Sequence, residues 1–250
     1  MGNESKLPPT TSKSRLRALA GSAGAPARRL AKDWLRPLLL ALLIVTPFRS
    51  AVADWHDVPT GSMKPGIVEG DRVVVDKRAY RWRVPLSDWV LHEAGAPQRG
   101  DVVTLRSPRE GTRLLKRVVA VAGDKVALRA NRLWLNGRLQ PLQALPGETH
   151  SGLPDPSGLP DRIALEELAG REHKILLTPG RRSPHTFPEL RVPAGHVLVL
   201  GDNRDNSADS RYFGFVPLGA IEGRVIGVAF SFDPRRWFGW RSERFLLGLK

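Results

Sequence analysis

Apolar and polar positions change rhythm twice along the 250 residues. Residues 1–33 show no sustained apolar period and are rich in Gly, Ser, Ala and Pro, so they read as a disordered tail. From Pro37 to Phe48 the chain is almost unbroken in its apolar character for 12 residues. A helix of that length covers ~18 Å, short of a bilayer core of ~30 Å. Extended from Trp34 to Ala53 it gains the length to span. Arg36 and Arg49 would then snorkel to the two interfaces, with Trp34 and Trp55 as aromatic anchors.

After residue 70 the pattern turns to short alternating runs rich in Val, Leu and Ile. These predict strands at 72–76, 101–106, 114–122, 125–129, 132–136, 197–200 and 221–232, with Asn136-Gly137 as a hairpin turn. Only Ile163 to Ala169 reads as helical. The stretch 141–190 holds 8 of the 21 prolines and reads as a loop-rich insert. The expected organisation is a tail (1–33), an anchor (34–53) and a mainly β, antiparallel domain (54–250).

Charge sharpens this picture. The formal net charge is +14, and residues 1–53 carry +7 of it, from nine Lys/Arg and two Asp/Glu. Half the excess therefore precedes the apolar run. That favours a tail facing anionic lipid over a nucleic-acid footprint, with the N-terminus inside and the β domain outside. Two other readings stand beside the anchor. Ala51-Val52-Ala53 before Asp54 fits the end of a cleavable signal peptide, with a basic region longer than usual. A buried helix of a soluble protein is the third. The basic and aromatic C-terminal stretch 234–250 suits a lipid interface.

Several chemistries drop out. The absence of cysteine removes disulfides, zinc ribbons and thiol nucleophiles. There is no phosphate-binding glycine loop, no His-Glu-x-x-His and no Gly-x-Ser-x-Gly. The acidic run 202–211 fails as a calcium loop, because Arg204 and Ser207 stand where an acidic ligand and the turn glycine are needed. The six histidines read as surface or loop residues, so no metal and no cofactor are expected.

What remains is a serine with a lysine. Val58-Pro-Thr-Gly-Ser-Met63 sets Ser62 in a loop where Gly61 allows close backbone approach. The Ser62 amide and the Thr60 hydroxyl are candidate oxyanion donors. By itself this loop reads first as a plain turn of small residues. A lysine serves as base only when neutral, which calls for burial. Lys116 lies in an apolar strand, on one face with Leu114 and Val118, while Arg117 faces the other way. An edge-strand charge is the competing reading. Lys64, Lys77 and Lys125 stand beside Gly, Pro or charged residues and read as solvated.

On these residues the chain resembles the bacterial type I signal peptidases, membrane-anchored Ser-Lys endopeptidases. Pro59-Thr-Gly-Ser-Met63, the run from Gly70 to Val75, the run from Lys116 to Val126 and the run from Gly201 to Pro217 match the family's four motifs in order. The resemblance implies a large twisted antiparallel β-sheet domain of the kind shared with self-cleaving Ser-Lys repressors. It implies Ser62 as nucleophile, Lys116 as general base, Thr60 and Ser62 as the oxyanion hole, and Ser207 as the residue orienting the lysine. Asp202, Asp209 and Arg211 would be supporting charges. Met63 and Leu115, beside the two reacting residues, would line the substrate pocket. The implied substrates are preprotein signal peptides with small residues at −3 and −1, cut at the cell membrane. Two alternatives are a Ser-Lys maturation protease dedicated to one substrate, such as a conjugative pilin, and a basic membrane-tethered binding protein without catalysis.

Overall fold

The computed structural model describes residues 31–87, 89–150, 152–154, 156–236 and 239–249. The tail expected over 1–33 lies, up to residue 30, outside the described residues. Contacts divide the chain into two units, Met1–Phe48 and Arg49–Lys250.

The first unit contributes most of helix α1 (Arg36–Ala51), preceded by a π-helical turn over Ala31–Leu35. Its leucines favour helix, while Pro37 and Pro47 each forgo one backbone donor. Leu38 to Ile44 are exposed around the whole circumference. A helix that is apolar on every side needs lipid or protein around it. The stretch Lys32–Ala51, 20 residues, is long and apolar enough to cross a bilayer.

The second unit is β-rich. Its strands are β1 (Ala53–Asp57), β2 (Asp71–Asp76), β3 (Arg81–Arg83), β4 (Val90–Glu93), β5 (Val102–Arg106), β6 (Arg113–Val121), β7 (Lys125–Arg129), β8 (Arg132–Leu135) and β9 (Arg138–Leu139). There follow β10 (Leu142–Ala144), β11 (Arg162–Leu168), β12 (Arg171–Leu177), β13 (Phe187–Arg191) and β14 (His196–Leu200). After the short helix α2 (Ser210–Phe213) come β15 (Val216–Pro217), β16 (Ile221–Ser231) and β17 (Leu247–Gly248). The main antiparallel sheet runs β1-β2-β16-β5-β6-β14-β15, with β17 against β16. Smaller sheets are β13-β7-β8-β9, β10-β11-β12 and β3-β4. Val58, Met63, Val73, Val75, Val102 and Val225 form one apolar core beneath the Ser62 loop. A second core joins β6, β7, β8 and β14.

Three expectations change, and a fourth gains detail. The helix stops at Ala51, and Ala53 already opens β1, paired with Asp76 of β2. The Asp54 carboxylate is held there by Arg49 at 2.6 and 2.9 Å. The bond after Ala53, a cleavage site on the sequence pattern, thus lies within a paired strand. Ile163–Ala169 is not helical: Arg162–Leu168 is β11. Ala, Leu and Glu favour helix in isolation, but seven residues are too few to hold one. Ala169 and Gly170, both at positive φ, make a two-residue turn into β12, and the hairpin wins. The insert 141–190 is accordingly not mainly loop, since it contains β10 to β12 and most of β13. Finally, the C-terminal stretch folds onto the domain. Arg244 binds Asp71 with two hydrogen bonds of 2.8 and 2.6 Å, while Trp240 and Phe245 remain exposed.

Candidate active site

Two elements meet at the candidate site. The loop after β1 carries Ser62, and the fourth residue of β6 is Lys116. Lys116 Nζ donates to Ser62 Oγ at 2.7 Å and to the Leu115 carbonyl at 2.8 Å. Lys116 is 2% exposed, as its apolar strand neighbours predict. Burial pushes its ammonium pKa down to about 8. The carboxylates of Asp209 and Asp202 pull it back part of the way, and the Arg211 guanidinium adds to the drop.

The Ser62 loop is fixed from behind. Asn203 donates its backbone N–H to the Ser62 carbonyl at 3.1 Å and its side-chain amide to the Gly61 carbonyl at 3.0 Å. A Cβ on Gly201 would come within 2.5 Å of the Ser62 carbonyl and collide with Ser207 Oγ. Glycine at 201 is what lets the 201–207 loop pack against the serine. Sequence reading missed Asn203, although it stands inside the last motif. Side-chain amides are plentiful in turns, and nothing in the sequence marks this one as a clamp.

The charged residues sort into two buried pairs. Arg117, on the face opposite Lys116, binds Asp202 at 2.8 and 2.7 Å. Arg211 binds Asp209 at 2.8 and 2.7 Å, both side chains fully buried. Asp209 also accepts from the Gly201 amide at 3.0 Å and from the Arg211 amide at 3.2 Å. Burial works to raise the Asp209 pKa, but Arg211 and the Gly201 amide outweigh it and hold the carboxyl below its ordinary value. Ser207 makes no hydrogen bond to Lys116. Its buried Oγ instead acts on the Asp209 carboxylate and helps to hold that carboxyl down, and the acceptor that Nζ meets besides Ser62 is the Leu115 carbonyl.

A cleft of about 480 Å³ opens over the pair. Thr60, Ser62, Met63, Leu115 and Lys116 all line it. Met63 is buried and Thr60 exposed. The expected nucleophile, base, oxyanion donor and pocket residues therefore share one cavity.

Two readings of cations and histidines need correction. Lys64 is not solvated: it is buried and paired with Glu69 at 2.8 Å, and it donates to the Leu153 carbonyl. The returning segment 152–153 lies against it, which no local pattern reveals. Nor are all the histidines peripheral. His56 in β1 and His173 in β12 are buried. His173 faces Glu166 of β11 at 3.3 Å, and Glu166 also binds the wholly buried Arg204. Burial would raise the Glu166 pKa, but Arg204 and His173 draw it down to about 2. Among the described residues no cluster of His, Asp and Glu has the form of a metal site.

A family model described as signal peptidase, peptidase S26, matches residues 31–230. Signal peptidase I of Pseudomonas fluorescens is 35% identical over 215 residues, covering 81% of this chain and 71% of that protein. Signal peptidase I of Pseudomonas aeruginosa is 37% identical over 212 residues, with the same coverage. A crystal structure of a signal peptidase I from Enterococcus faecalis is 30% identical and covers 51% of this chain and 95% of its own, with a TM-score of 0.30.

Proposed function

We propose how a chain that belongs to the signal peptidase family, peptidase S26, performs its chemistry: Ser62 attacks, and Lys116 moves the proton. The protein is a membrane-anchored serine endopeptidase that removes signal peptides. The observation that carries the assignment of residues is the 2.7 Å contact between a buried lysine and a serine hydroxyl in one cleft.

The steps follow from the geometry. Neutral Lys116 accepts the Ser62 proton as Oγ adds to the carbonyl carbon of the residue at −1. The oxyanion forms beside the Ser62 amide and the Thr60 hydroxyl. Collapse expels the mature protein's amine, which takes the proton from Lys116, and leaves the signal peptide esterified to Ser62. Lys116 then removes a proton from water, and hydrolysis frees the serine. The Leu115 carbonyl holds Nζ in place through the cycle. Asp202 and Asp209 act at a distance by their charge and through their arginine partners. Ser207 fills the space against Gly201.

The cleavage rule we propose is small residues at −1 and −3, with Met63 and Leu115 lining the shallow pocket. The basic N-terminus lies in the cytoplasm, the β domain lies across the cell membrane, and the exposed aromatics of the C-terminal stretch contact lipid. Incubating the detergent-solubilised chain with a panel of unrelated preproteins tests the breadth of this activity. Cleavage of many after small residues is expected; cleavage of one would point to a dedicated maturation protease.

A pH prediction comes from Lys116. With a pKa of about 8, about one molecule in ten has the neutral base at pH 7, against fewer than one in a thousand for ordinary lysine. Activity should rise with pH along a limb centred near 8 and fall away below it as the ammonium forms. The limb should persist when each histidine is replaced in turn. Its disappearance with any one of them would transfer the base role to that residue.

Thr60 gives a second prediction. Thr60→Val keeps the shape and deletes the donor, so kcat should fall by about 10²-fold with KM little changed. Thr60→Ser should stay active. Equal rates for the two variants would remove Thr60 from the oxyanion hole.

A further inference from the structure

The cleft contains polar groups that the mechanism does not use. His56 of β1 is 9% exposed and Thr104 of β5 is 2% exposed. Both line the same cavity as Ser62 and Lys116. Yet His56 Nδ1, His56 Nε2 and Thr104 Oγ1 are buried without a hydrogen-bond partner in the protein. Asp54 Oδ2 lies 3.6 Å from His56 Nε2, beyond hydrogen-bond range. Buried polar atoms are satisfied in the great majority of cases, so three unpaired atoms in one cleft wall call for an explanation.

Position separates these two residues from the reacting pair. Thr104 stands directly across from Leu115 in the β5–β6 register, one strand removed from the lysine strand. His56 stands across from Val73 in β1–β2, upstream of the Ser62 loop. Around Ser62 the apolar part of the lining comes from Met63 and Leu115. An extended substrate turns every second side chain to the same face, so residues −1 and −3 enter together and lie ~6–7 Å apart. The apolar part of the cleft suits a small residue at −1. The polar groups belong to β1 and β5, whereas the reacting pair belongs to the Ser62 loop and β6.

We infer that His56 and Thr104 form a polar subsite that selects a hydroxyl-bearing side chain, serine or threonine, at the −3 position of the signal peptide. This rests on the cleft being the substrate site. The chemistry matches in both directions. Burial, with Arg113 nearby, keeps the His56 pKa below its usual value, so the neutral ring offers one donor and one acceptor. Thr104 Oγ1 can give or receive. A substrate hydroxyl is also both donor and acceptor, and it is small enough for a shallow cleft. Valine, of nearly the same shape as threonine, would cover the three atoms without bonding any of them. A site built to hydrogen-bond its ligand discriminates against the analogue that lacks the group.

The test uses the full-length chain in detergent and peptides with alanine at −1 and threonine, valine or alanine at −3. Wild-type kcat/KM should favour threonine over valine by about 10-fold. In Thr104→Val the ratio should fall to within about 2-fold, and in His56→Phe valine should be preferred. A wild-type ratio near one, or a ratio unchanged in both variants, would overturn the inference. If His56→Phe fails to fold, the ratio in Thr104→Val, where only a hydroxyl is exchanged for a methyl, decides alone. Cleavage of the alanine peptide by wild type, and its loss in Ser62→Ala, tests the cleft reading separately.

Discussion

Lys116→Met should abolish signal-peptide cleavage and, at the same time, make the folded domain more stable at neutral pH. Both halves come from one buried ammonium. Methionine fills a similar volume and cannot take a proton, so kcat should drop by at least ~10³-fold, as should that of Ser62→Ala. The double variant should be no worse than either single one, because the two residues act as a unit. The stability half is a linkage argument. Lysine has a pKa of 10.5 unfolded and about 8 here. Below pH 8 both states carry the proton, and the folded state bears the whole cost of the buried charge, of order 3 kcal/mol. That cost diminishes as pH rises from 8 to 10.5 and is gone above. Lys116→Met should therefore denature at higher urea than wild type at pH 7, and the gap should close towards pH 10.5. Cleavage above about a tenth of the wild-type rate would remove Lys116 as the base. An unchanged midpoint at pH 7 would mean that the ammonium is solvated.

Asp209→Ala should be the most damaging single change to stability. Asp209 and Arg211 are both fully buried, and the carboxylate also takes the Gly201 amide and caps α2 through the Arg211 amide. Removing one member of a buried pair leaves the other charge without compensation, at about 3–5 kcal/mol. For a domain of this size that corresponds to a fall in Tm of roughly 10 °C. Arg211→Met should cost a comparable amount. The double change Asp209→Asn with Arg211→Met should recover part of the loss, because no ion is then stranded. A loss below about 1 kcal/mol for Asp209→Ala would show that the pair is hydrated.

Much of this was legible in the chain because the signals are local. Apolar alternation located β2, β5, β6, β7, β8, β14 and β16 to within a residue or two. Asn136-Gly137 marked its turn because only residues tolerant of positive φ suit it. Two local features raised the dyad, a serine in a glycine-bearing loop and a lysine among valines, but each left a bland reading open, and the resemblance to the type I signal peptidases joined them. What escaped depends on long-range contact. Lys64 sits among turn formers, yet its environment is made by Glu69 and by the chain returning at Leu153. His56 reads as one polar residue in a charged stretch, and only pairing with β2 makes it a wall of the cleft. In β11 the helix-forming residues lose to a hairpin whose partner strand has to be present before the preference can reverse.

The paired strands of the insert have a consequence for shortening the protein. Their role at the site is exercised through main chain. Leu176 donates its amide to the Asp202 carbonyl and accepts from the Arg204 amide, at 2.8 and 2.9 Å. Thr178 donates its amide to the Asp205 carboxylate at 2.8 Å. Main-chain partners are indifferent to side-chain identity, so these contacts require β12 to be present whatever its exposed residues are, while the buried His173, Ile175 and Leu176 stay constrained by packing. A minimal peptidase would keep β11 and β12 whole, together with the 152–153 segment whose Leu153 main chain binds Lys64 and Glu69 beside the Ser62 loop.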